Sequence, residues 1–102
     1  MAGIREKLEH SCDVGRSPMA LYEDFPKVSF DHLDDVWWHH GNANALGYTV
    51  EPRDIFGRRI AEFVTALDSI TSRPIAIVGH GNAFHEMIDF QLENCQIYKY
   101  SK

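Results

Sequence analysis

The chain is short of cysteine and of positive charge, and it has no long apolar run. Each shortage excludes something. Its two cysteines, Cys12 and Cys95, lie far apart and form neither a CxxC pair nor a zinc-type spacing, so both are read as free thiols. Acidic residues outnumber basic ones and the formal net charge is −5. That argues against a nucleic-acid footprint or a polybasic membrane surface. No apolar stretch approaches the roughly 20 residues that cross a bilayer, and residues 1–7 carry no apolar signal region. The expectation is therefore a cytoplasmic protein with no membrane or nucleic-acid partner. The 102 residues hold no internal repeat and no low-complexity tract. They allow one domain, 1–102, which buries about 65% of its unfolded surface.

What is present centres on residues 73–90. Ile75–Val78 is a continuous apolar run that reads as a strand buried on both faces. It runs into Gly79-His80-Gly81-Asn82. Phe84, Met87 and Ile88 then recur at helical spacing, which predicts a helix over about 82–90. Two glycines around one residue suit a sharp turn and a close ligand approach. Asn82 is a natural N-cap, and the first-turn N–H groups form an anion site with His80 at its edge.

Upstream, Ser17-Pro18 signals a helix over about 18–24 that stops before Pro26. Asp31 caps a second expected helix, about 31–38, with Leu33, Val36 and Trp37 as its apolar residues. Residues 41–47 read as loop. From about 52 to 69 the period is clearest, with Ile55 or Phe56, Ile60, Phe63, Val64 and Leu67 on one face and Glu51 and Asp54 suited to the helix dipole. Arg58 and Arg59 read as the solvated flank of this helix. A second strand is expected at about 95–100. A strand apolar on both faces needs a neighbour on each side, yet only one other is legible, and two strands alone are marginal. The expected sheet, with strands at about 74–79 and 95–100, is therefore incomplete. A missing N-terminal segment or a second copy of the chain would have to complete it.

Residues 75–84, followed by Leu92-Glu-Asn-Cys-Gln-Ile-Tyr98, resemble the C-terminal part of the histidine phosphatase superfamily, phosphoglycerate mutase-like branch. Ile4-Arg5-Glu6 with Gly15 downstream is similar to another segment of that family, and the helix carrying Arg59 looks like its penultimate helix. Cys12–Gly15, Phe25-Pro26 and Trp37-Trp38 look like features of one subgroup. The resemblance implies an α/β fold, a three-layer α/β/α sandwich, and phosphomonoester hydrolysis or phosphoryl transfer through a phosphohistidine. It implies His80 and Glu6 as catalytic residues, the latter as acid/base. Gly81, Asn82 and Arg5 would bind the phosphate of a small phosphorylated substrate, or inorganic phosphate, without cofactor or metal. The nucleophile-bearing Arg-His-Gly motif is absent from the chain, and covalent transfer needs that imidazole. The alternative is a non-catalytic anion-binding or dimerisation module derived from the same fold. His39-His40 has no third ligand at a recognisable spacing, and His85 lies off the His80 direction.

Overall fold

One sixteen-residue helix carries the core, with the N-terminal turn and the last helix packed on it. The computed structural model describes residues 1–101 and contains three α-helices: α1 (Pro18–Asp24), α2 (Arg53–Asp68) and α3 (Gly81–Ile88). Single 3₁₀ turns lie at Ala2–Ile4 and Ser11–Asp13. On α2, Phe56, Ile60, Phe63 and Leu67 are buried in one stripe, as their spacing of three to four requires. The N-terminal turn brings Ile4, and α3 brings Ala83, onto that stripe to close the core. Ile70, Ile77, Phe84 and Met87 pack around it, partly covered.

The first helix forms as its sequence directs. Ser17 Oγ accepts the Ala20 N–H at 3.3 Å, Pro18 opens the helix, and the Phe25 N–H closes it on the Leu21 carbonyl. The last helix ends on Asp89, which takes the left-handed conformation at φ 53° and donates its N–H to the His85 carbonyl. Aspartate tolerates that region better than most residues.

Two expectations fail. The helix over 31–38 is absent; the stretch is a run of turns, with the Leu33 N–H bonded to the Phe30 carbonyl. A tertiary contact wins over the local pattern. The Trp37 indole N–H donates to the Arg16 carbonyl at 2.7 Å. Trp37 and Trp38, packed edge to face, lie so close to Gly15 that a Cβ there would stand 2.4 Å from the Trp38 ring. Only glycine admits that approach.

The α/β sandwich is also overturned. Among the described residues there is no strand, and the architecture is all-helical. Residues 74–79 and 95–100 are irregular chain, and no backbone hydrogen bond joins them. Val78 and Ile97 are 91% and 95% exposed. The apolar run sets a preference for extended backbone, but a ladder needs a partner at hydrogen-bonding distance, and neither segment offers one to the other. They line an open groove of about 1140 Å³ with Ile75, Ile77, Phe84 and Tyr98 among its walls. The radius of gyration, 14.5 Å, exceeds the roughly 13 Å of a close-packed chain of 100 residues. No helix among the described residues is long and apolar enough to cross a membrane.

Candidate functional site

The mouth of α3 is built from both ends of the chain. His80, in extended conformation, is the N-cap residue, and its carbonyl accepts the Phe84 N–H at 3.0 Å. The helix therefore starts one residue earlier than expected, at Gly81, and Asn82 lies inside the first turn instead of capping it. Gly79 lies close under the Phe84 ring, where a Cβ would come to 3.1 Å, a tight contact. The first-turn N–H groups have no partner within the helix, and a side chain from the N-terminus supplies one. Glu6 Oε2 accepts the Asn82 N–H at 3.1 Å, and Glu6 Oε1 accepts the Ala83 N–H at 3.0 Å and the Lys7 N–H at 2.9 Å. A carboxylate at this end also meets the positive pole of the helix dipole.

Glu6, His80, Gly81 and Asn82 thus meet at one place. His80 is exposed, and its imidazole has no hydrogen-bond partner among the described residues. Arg5 does not join them. Its guanidinium turns toward the Ala2 carbonyl at 3.0 Å and the Glu51 carboxylate at 3.4 Å.

There it enters a cluster that reading the sequence missed. Glu51 is fully buried. Arg59 grips it with two bonds, Nε to Oε2 at 3.0 Å and Nη2 to Oε1 at 2.7 Å, while Arg59 Nη1 donates to the carbonyls of Gly3 and Arg5. Arg59 also lies over the Phe56 ring, 5.2 Å from its centroid, a favourable cation–π distance. Arg59 is thus no solvated flank: its side chain is 10% exposed, whereas Arg58 does face solvent. Nor does Glu51 serve the start of α2. A carboxylate just before Pro52, and an arginine between Phe56 and Phe63 beside the apolar stripe, were the available signals.

Burial by itself pushes the Glu51 carboxyl up. The Arg59 hydrogen bonds, the charges of Arg59 and Arg5 and the Leu8 backbone together outweigh it, and the group ends below its ordinary value. Burial lowers Arg5, and so does the neighbouring charge of Arg59; Glu51 offsets only part of this.

The remaining polar features do not assemble. Among the described residues no group of histidine, cysteine and carboxylate side chains is placed to hold a metal ion. His40 turns its ring to the Trp38 carbonyl, and His85 is exposed on α3. Cys12 and Cys95 are free and exposed. Chemically, the α3 mouth offers paired backbone N–H donors for an oxyanion, an accessible imidazole, and a carboxylate already in the anion position. Compared with known proteins, the chain matches no family model, no curated protein and no solved structure.

Proposed function

We propose that this chain is a histidine phosphatase-like anion-binding module, with phosphoryl groups as its ligand class and no turnover of its own. One observation carries the reading. Glu6, His80, Gly81 and Asn82, four of the five residues that the resemblance assigns to a single site, converge on one helix mouth across 76 positions of sequence. The Asn82 and Ala83 N–H groups are the phosphate donors, and His80 flanks them as the second, phosphate-stabilising imidazole. Glu6 fills the position until an anion displaces it. Without an Arg-His-Gly nucleophile no phosphohistidine forms, so binding is not followed by transfer.

Calorimetric titration with inorganic phosphate and with vanadate tests this. Wild type binds in the millimolar range, and Glu6→Gln, which removes the competing charge, binds about tenfold more tightly, equivalent to about 1.4 kcal/mol. His80→Ala abolishes the heat. If none of the three proteins binds at millimolar ligand, the proposal is rejected. Aryl phosphate turnover that disappears with His80→Ala would overturn its non-catalytic half.

A second reading, self-association with another copy of the chain, rests on the exposed apolar segments 74–79 and 95–100. Bare aliphatic side chains such as Val78 and Ile97 form an apolar surface that a second copy can cover. Light scattering at high micromolar concentration is expected to give a dimer mass, and Val78→Lys with Ile97→Lys a monomer. A monomeric wild type removes the reading.

A further inference from the structure

Reach alone does not place Glu6 at α3, because the segment 5–10 that carries it belongs to no helix or strand. Its backbone is nevertheless held on both sides of Glu6. Upstream, Arg59 Nη1 donates to the Gly3 carbonyl at 2.8 Å and to the Arg5 carbonyl at 2.9 Å. Downstream, the Glu51 N–H donates to the Leu8 carbonyl at 2.7 Å. Ile4 and Leu8, on either side, are buried.

The two residues that make these bonds also bind one another. The Glu51 carboxylate takes Nε and Nη2 of Arg59. That grip leaves Nη1 as the only edge of the guanidinium turned to the N-terminal backbone, and it fixes the direction in which Nη1 points. A planar fork does this and an ammonium does not. The Arg5 side chain is drawn into the same cluster, onto Glu51. Neighbouring positions 5 and 6 thus send their side chains to different places: Arg5 to Glu51, Glu6 to the Asn82 and Ala83 N–H groups.

We propose that Arg59 and Glu51 are positioning residues for Glu6: the buried pair clamps the backbone at residues 3, 5 and 8 and so delivers the Glu6 carboxylate to the mouth of α3. This rests on Glu6 belonging to the anion site proposed above, but it predicts a geometry that exists without any ligand.

The test is amide NMR of the full chain with no phosphate present. Glu6→Gln removes the charged acceptor and moves the Asn82 and Ala83 amide proton resonances upfield, since hydrogen bonds to ionised groups are the stronger ones. Arg59→Lys, with residue 6 untouched, is expected to move the same two resonances in the same direction by at least half as much. A generally loosened core would not single out those two amides. A folded Arg59→Lys protein with both at wild-type positions overturns the proposal. Should Arg59→Lys fail to fold, hydrogen exchange of the wild type decides. Protection of the Asn82 and Ala83 amides equal to that of the Arg59 Nε–H supports the clamp, and amides that exchange far faster than Nε–H refute it. Phosphate titration is a separate measurement, so loss of the anion site and loss of the clamp are told apart.

Discussion

Glu51→Ala removes most of this chain's stability at neutral pH and brings it to the edge of unfolding. The side chain is fully buried and, among the described residues, is the only carboxylate hydrogen-bonded to the Arg5 and Arg59 guanidiniums. Its removal leaves two cations packed beside each other without a counter-charge. Breaking a buried pair in this way costs about 3–5 kcal/mol. A chain of this length has roughly 5–15 kcal/mol to lose, and a core of seven buried hydrophobic side chains among the described residues places this one near the lower bound. Circular dichroism through a urea titration reads the effect. A loss below about 1 kcal/mol, the range of an exposed pair, would mean that the cluster is solvated. Acid acts on the same group. The folded Glu51 carboxyl lies below its ordinary value, so its contribution is complete above the range in which a free carboxyl titrates. It is lost as pH falls from about 4.5 through the lower, folded value. The urea midpoint of wild type should therefore drop steeply below pH 4.5, while that of Glu51→Gln, already low, should change less.

Phe56→Ala is the second large effect, with an expected loss of about 3–5 kcal/mol. Phe56 is 1% exposed, among the largest fully buried side chains, and its ring carries the Arg59 guanidinium on one side and that of Arg53 at 5.9 Å. Truncation opens a cavity beneath α2 and removes the apolar plate against which Arg59 is oriented. The same truncation one residue earlier is the control: Ile55 is 38% exposed, and Ile55→Ala is expected to change stability by about 0.5 kcal/mol or less. Equal losses at the two positions would contradict the burial pattern of α2.

The elements that were legible in advance carry their own instructions. Ser17-Pro18 starts α1 because a hydroxyl cap and a ring-locked φ act within one turn. The stripe from Phe56 to Leu67 marks α2 because burial repeats with the helical period. The helix after His80 follows from Phe84 and Met87 in the same way, with its ends shifted by one or two residues. Where a partner from elsewhere in the chain was needed, the reading failed. Asn82 looked like the cap of α3, but Glu6 caps it from the other end of the chain. Arg59 reads as solvated from its neighbours in sequence, whereas in the fold it grips the buried Glu51. Trp37 looked helical until the Arg16 carbonyl took its N–H.

Local chemistry in the sequence thus determined where helices begin, which face of α2 is apolar, that His80 stands at a helix mouth, and that no phosphohistidine motif is present. The tertiary structure alone decided that Ile75–Val78 has no ladder, that Glu6 lies on the α3 donors, and that two arginines share one buried carboxylate. The reason is one of range. Capping, ring constraint and periodicity act over a few residues and are written in neighbouring letters, whereas hydrogen-bond partners for a bare strand or a buried charge depend on which distant segments the folded core brings within about 3 Å.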